Sequence, residues 1–209
     1  MTRNRTGDEQ KTARELRREA RERFAHSHRL ELDYLRRLRQ VVRQVDDMVK
    51  MSAPRGEVKD LAALQQMLRK YSEAITPWAR SVAERMLENI QRKDELSWSR
   101  FGKDIGRSLR KEIQHAPTGE VLRSFLNEQV TLITSLPLDA AQRVHKLTLE
   151  GMTQGTRANE IAREILRTGD VLESRAKLIA RTEVARTASA LTMARAQFVG
   201  CQAYHGFKT

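Results

Sequence analysis

With 209 residues and a single cysteine, Cys201, the chain is long enough to bury a core and has no internal disulfide framework, which suits a reducing compartment. Lys and Arg number 39 against 27 Asp and Glu, a net +12 with a pI near 10.4, which favours polyanionic partners without choosing between nucleic acid and an anionic membrane. No run of about 18 apolar residues is present to span a bilayer, and MTRNRTGDEQK has no apolar stretch behind it to make a secretory signal, so synthesis in the cytoplasm is expected.

From Asp8 to about Lys50 there is neither proline nor glycine, and Arg, Glu, Leu and Gln predominate, which predicts one long helix. At about 1.5 Å per residue it reaches on the order of 60 Å. Its second half carries Leu35, Leu38, Val42, Val45 and Val49 at alternating spacings of three and four, a seam for a partner helix. The first half interleaves Arg14, Arg17, Arg18, Arg21, Arg23 and Arg29 with Glu15, Glu19 and Glu22, and its apolar anchors are Leu16 and Phe24. The first 43 residues hold 13 Lys or Arg against 7 Asp or Glu, or +6, half the net charge of the chain. This half reads as an exposed basic arm whose six arginines are candidates for contact with DNA phosphates or an acidic partner. The alternative is a solvated helix laced with i,i+4 ion pairs. Aromatic residues are nearly absent from it, which argues against stacking on single strands.

SAPRGE, from Ser52 to Glu57, stops the helix with Pro54 and Gly56, and Asp60 then caps a helix bearing Leu61, Leu64, Leu68, Tyr71 and Ile75, which predicts a helical hairpin. Thr76 followed by Pro77 reads as a new N-cap with proline in the first turn. The next helix, Trp78 to about Gln91, shows Trp78, Val82, Met86 and Ile90 on one stripe. The polar run RKDE predicts a break, followed by a helix carrying Trp98, Phe101, Ile105, Leu109 and Ile113. Gly102 and Gly106 within it suggest a close helix crossing, and methionines such as Met67 and Met86 read as gap-filling core.

APTG, from Ala116 to Gly119, breaks the chain again. Val121, Leu122, Phe125, Leu126, Gln129, Val130, Leu132, Ile133 and Leu136 then cover more than one face of a helix, which predicts the centre of the core. Pro137 opens the C-terminal third. A helix from about Leu138 to Glu150 turns Val144 and Leu147 inward, a turn GMTQGT follows, and Thr156 caps a short helix burying Ile161 and Ile165. Gly169 closes that helix and Asp170 caps a last long one, Ser174 to Gly200, with Gly200 as its left-handed C-cap. Ala176, Ile179, Ala180, Thr187, Ala190, Leu191, Ala194 and Phe198 make a stripe of small and apolar residues that admits a neighbouring helix closely. Arg181 and Glu183 lie on different faces; Glu183 is expected to pair with Arg186 or Arg175, and a partly buried arginine to hold elements in register. CQAYHGFKT reads as a strand or a frayed tail. The whole is all-α: a long N-terminal helix and helical hairpins packed as an elongated bundle, divided as a basic arm over 1–52, a bundle segment over 53–118 and a C-terminal helical domain over 119–209.

Candidate chemistry is sparse. His26, His28, His115, His145 and His205 make no HExxH pattern, and Cys201 with His205 lacks a third ligand, so no metal and no cofactor is expected. Phosphate-binding glycine loops and a GxSxG nucleophile are absent. Glu160 and Glu164 share a helix face, where pairing with Arg157, Arg163 and Arg167 explains them better than acid-base work. No enzymatic function is expected.

SRAKLIARTEVARTASALTMARAQFVG, from Ser174 to Gly200, resembles the signature helix of the phage Mu gpF-like minor head proteins, also called phage head morphogenesis proteins. The positions that carry it are Arg175, Ala176, Ile179, Arg181, Thr182, Glu183, Arg186 and Gly200. Upstream, NEQVTLITSLPLDAAQRV is similar to that family's opening segment through Leu132, Ile133 and the Leu136–Pro137 step. GMTQGTRANEIAREI resembles its second helix pair through Gly155, Glu160, Ile161 and Ile165. The likeness covers about Asn127 to Gly200. It implies a virion-associated protein of few copies, made in a bacterial host, that acts with the portal and other head proteins in head morphogenesis and accompanies or contacts double-stranded DNA, with no membrane role. It carries no catalytic residues. Family members usually continue into a Trp-containing strand, a histidine and a cysteine-bearing tail, so the chain ending at Thr209 is expected to be a fragment, a truncated copy or a shortened variant.

Overall fold

The computed structural model describes residues 13–53, 60–104 and 116–206, and among them every regular element is an α-helix. These are α1 (Ala13–Ser52), α2 (Leu61–Ala74), α3 (Thr76–Asp104), α4 (Thr118–Gln154), α5 (Ala158–Leu166) and α6 (Thr168–Gly206). They pack as a bundle in which α1 lies along α6 while α2 and α3 lie along α4. The all-α expectation holds.

The apolar seams meet as their spacing predicts. Leu35, Leu38, Val42, Val45 and Val49 of α1 are all buried, joined by Tyr34 and Val41. Leu64 and Leu68 of α2, Ile75 just after it, and Val82, Met86 and Ile90 of α3 belong to the same cluster. Ile133, Leu136, Ala140, Ala141 and Val144 of α4 and Ala176, Ile179, Ala180, Val184 and Leu191 of α6 complete one continuous cluster. At about 1.5–3 kcal/mol per fully buried large apolar side chain, this cluster supplies the main driving force for packing. The first turns of α4 are less central than expected: Val121, Leu122, Phe125 and Leu126 are only partly buried.

Asp60 caps α2 as expected, accepting from the Ala63 amide at 2.8 Å. Thr76 does not cap α3. The residue before it, Ile75, is already in the right-handed region and its carbonyl accepts from Ala79 at 2.8 Å, so α2 passes into α3 across a single junction residue. Thr76 is the first residue of α3, and its hydroxyl donates back to the Ser72 carbonyl at 3.4 Å.

Two expected breaks are not breaks. The run Arg92–Lys93–Asp94–Glu95 stays inside α3, because it contains no helix breaker and Asp94 turns inward to a buried partner. Pro137 lies inside α4 and is buried. Its ring withholds one N–H from the ladder, and the core on both sides of it, Ile133, Leu136, Ala140 and Ala141, offsets that loss.

Further corrections fall at the helix ends. Thr156 is not a cap: its amide donates to the Gly151 carbonyl at 2.9 Å, closing α4 behind Gly155, which holds φ 65. The N-cap of α5 is Arg157, without a side-chain cap bond. The last helix begins at Thr168, so Asp170 sits in its first turn. Gly169 packs against α1: a Cβ there would lie 2.5 Å from Asp46 Oδ1. Gly200 is inside α6, which runs to Gly206 and replaces the strand considered for the tail. Met86 is core, but Met67 is 40% exposed and fills no gap. Gly102 is buried, whereas Gly106, the residues 105–113 and most of SAPRGE lie outside the described residues.

Candidate functional site

Polar side chains along α6 reach three other helices, α1, α3 and α4, and their contacts divide into a middle cluster, an end cluster and outer ion pairs. In the middle cluster, Tyr34 of α1 donates its hydroxyl to Gln129 Oε1 of α4 at 2.8 Å. Gln129, fully buried, donates through Nε2 to Glu183 Oε2 of α6 at 2.6 Å. Arg186 approaches the same Glu183 oxygen at 2.6 Å and Glu128 at 2.6 Å, with its guanidinium 4.7 Å over the Phe125 ring. A buried carboxylate is thus linked to solvent through one half-exposed arginine. Burial, then the Glu183 charge, pushes the Tyr34 hydroxyl well above its ordinary range.

The end cluster joins α3 to α6. Arg195 is the largest fully buried side chain, and its Nε lies 2.5 Å from Asp94 Oδ2. The other Asp94 oxygen accepts from the Thr192 hydroxyl at 2.9 Å, and Arg195 Nη2 reaches Glu95 at 3.3 Å. This ion pair is withdrawn from water on both sides, so its members depend on each other. The arrangement continues two buried stripes with charge: Leu87, Ile90 and Asp94 on α3, and Thr187, Leu191 and Arg195 on α6.

Outer pairs fix the start of α6. Glu173 meets Arg39 at 2.7 Å and Lys177 at 3.4 Å, and the hydrogen bond from Arg39 holds its carboxyl below the ordinary range. Arg175 Nε lies 2.7 Å from Asp139 Oδ2 of α4; burial raises that carboxyl and Arg175 offsets part of the rise. Arg143 reaches Glu164 at 3.5 Å, and Glu164 also pairs with Arg167 at 3.1 Å.

The signature positions divide by role. Ala176 and Ile179 are buried in the core, Glu183 is buried in the middle cluster, and Arg175 and Arg186 make ion pairs to α4. The expected Glu183–Arg186 pairing is found. The register-holding arginine is Arg195, which the sequence does not single out; Arg181 and Thr182 are exposed. The signal for Arg195 is a charge at the end of an apolar i,i+4 stripe, matched by Asp94 at the end of another.

The arm residues stand differently. Arg14, Arg17, Arg21 and Arg23 lie on the helical backbone of α1, with side chains outside the described residues; Arg18 and Arg29 are exposed. His28 Nδ1 lies 3.6 Å from Glu31, and no group of three His, Cys, Asp or Glu among the described residues is placed to hold a metal ion. No helix among them is long and apolar enough to cross a membrane.

No family model matches the chain, and no solved structure matches it. An uncharacterized protein of Haemophilus influenzae is 25% identical over 194 residues, which cover 85% of this chain and 43% of that protein. The chain therefore spans less than half the length of this relative.

Proposed function

We propose that the chain is a phage minor head protein, a helical adaptor that acts with the portal in head morphogenesis and in DNA packaging or delivery. The observation that carries this reading is the helix SRAKLIARTEVAR within α6. Its inward positions, Ala176, Ile179, Ala180 and Glu183, pack or bond against the rest of the bundle. A sequence signature of that kind describes how one helix is held, and a defined helix presents a defined outer surface to a partner. The partners are the portal protein and other head proteins, and the place of action is the virion. No turnover is assigned to it.

Co-expression with the portal protein of the same phage tests this. The expected result is a complex that survives affinity purification and gel filtration. A folded, helical sample that forms no complex at micromolar concentration overturns the portal role.

A second reading, a non-specific DNA-binding helical protein without a portal role, is favoured by the +6 net charge of the first 43 residues and by the exposure of Arg18 and Arg29. It predicts DNA affinity that falls steeply with salt in the absence of any head protein. Salt-insensitive binding sinks it.

A further inference from the structure

We propose that the outer face shared by α6 and the first half of α4 is a dimer interface, on which a second copy of this chain packs with its α6 antiparallel to the first. The inference stands without the portal role and concerns the side of α6 that faces away from the core.

Opposite its core stripe, α6 carries an exposed line that runs from Val171 through Leu178 and Met193 to Ala196 in steps of three and four, with Leu178 66% and Met193 61% exposed. Ser174, Thr182, Ala185 and Ser189 fill the line, so none of its positions is charged in a chain that is 32% charged. From Val171 to Ala196 it drifts by only about 20° around the helix and extends about 37 Å. On α4 the exposed Ser124, Asn127, Thr131 and Leu138 make a second uncharged line. The two lines lie side by side: Arg175 Nη2 donates to the hydroxyl of Ser135, within the α4 line, at 3.4 Å. The charges between them are matched inside the chain, Arg175 with Asp139 at 2.7 Å and Arg186 with Glu128 at 2.6 Å. Outward lines on the other helices are interrupted by exposed charge: Arg36 and Arg43 on α1, Arg69 and Glu73 on α2, Glu84 and Glu88 on α3.

Apolar side chains left in water on a face depleted of charge are the composition of an interface centre. Three features select a second copy as the occupant. The first is the order of side-chain sizes. The steps along α6 read the same in both directions, so an antiparallel copy sets Val171 against Ala196, Ser174 against Met193, Leu178 against Ser189 and Thr182 against Ala185. Each large side chain meets a small one, and the middle of the line, at Thr182 and Ala185, lets the two backbones come near. The second is area: about 37 Å by two helix widths of roughly 9 Å is on the order of 700 Å² per copy, within the range of specific dimers. The third is charge. Two copies at net +12 repel each other least where exposed charge is absent or already paired. Arg181, exposed beside the line, stays at the rim with its charged end in water.

The test is sedimentation equilibrium of the full chain from about 1 to 200 µM, where a reversible dimer is expected. Leu178→Glu sets a carboxylate against Ser189 of the other copy and is expected to raise the dissociation constant at least about tenfold. Its helical circular dichroism stays unchanged, because Leu178 faces water in the single chain. Ser189→Lys alone is also expected to weaken the dimer. Leu178→Glu combined with Ser189→Lys is expected to recover most of the loss, since each carboxylate then meets the introduced amine of the other copy. Within one chain the two positions lie about 16 Å apart along α6, beyond a direct bond, so recovery reports a contact between chains. Met193→Glu with Ser174→Lys is a second pair of the same design and decides the matter if the first loses helical signal. A monomer throughout the concentration range overturns the proposal, as does a dimer that Leu178→Glu leaves intact. A double variant no tighter than Leu178→Glu alone overturns the antiparallel register. A chain that stays monomeric but loses a portal complex on Leu178→Glu overturns the dimer and gives the face to the portal.

Discussion

The two buried polar clusters on α6 solve the same problem in different ways. In the middle of the bundle, a tyrosine hydroxyl and an amide stand between the buried Glu183 and α1, and Arg186 brings its counter-charge from the surface. At the end, Arg195 and Asp94 are opposite full charges with side chains 1% and 5% exposed. The first cluster is mostly neutral and relaxes toward water through one half-exposed side chain. The second sets two full charges in the interior and touches the partly exposed Glu95 at a longer 3.3 Å, so loss of either main partner strands a buried charge.

The sharpest way to break that contrast is Arg195→Ala, which strands Asp94 without its main partner and is expected to cost about 3–5 kcal/mol in urea unfolding. Replacing both partners, as Arg195→Met with Asp94→Leu, is expected to recover most of it, because an apolar pair of similar volume removes the stranded charge. If the single variant costs less than about 1 kcal/mol, the end cluster is no stricter than a surface pair.

Tyr34→Phe in the middle cluster keeps the ring packing and removes one donor, with an expected loss of about 1–2 kcal/mol by the same measurement. It also has a pH signature. The folded Tyr34 hydroxyl titrates above its ordinary value of 10.0, so the unfolded chain releases that proton first. Stability from this group is complete below about pH 10 and falls as pH rises beyond it. The natural chain should therefore show an alkaline decline that Tyr34→Phe makes shallower. An identical decline in both proteins would remove the tyrosine from the account.

Gly169→Ala tests the close approach of α6 to α1 and is expected to cost about 1–2 kcal/mol, with partial recovery in combination with Asp46→Ala. The smallest effect is expected from Arg39→Gln, an exposed partner of Glu173: no resolvable change at neutral pH, and a slightly shallower loss of stability as pH falls through about 4.5, the ordinary value for glutamate. A large effect there would mean that surface ion pairs set the register of α6.

Apolar spacing makes the seams of α1, α2 and α3 legible in the sequence, because burial follows helical period wherever one face is consistently apolar. Polar interiors are harder to read. Asp94 is hidden in RKDE, which has the composition of a solvated break until Arg195 is placed opposite it. Pro137 reads as an end because local backbone chemistry disfavours it within a helix; only tertiary packing keeps α4 continuous through it. Gln129 falls in an apolar stripe, yet the same position provides the amide that bridges α1 to α6. Of the expected contacts, Glu183–Arg186 is legible since three residues separate its members, whereas Asp94–Arg195 is 101 residues apart in sequence.

The pairing of α1 with α6 has a consequence for how the chain is made. Arg39 and Glu173 are 134 residues apart, and the seam from Leu35 to Val49 is covered in part by the last helix of the bundle. During synthesis at about 5–20 residues per second, α1 leaves the ribosome many seconds before α6 exists to lie along it. Until then its apolar face has α2 to α5 as neighbours but lacks the helix that lies along most of it, and the nascent chain carries a partly open hydrophobic stripe that chaperones can hold and that stalled synthesis would leave exposed.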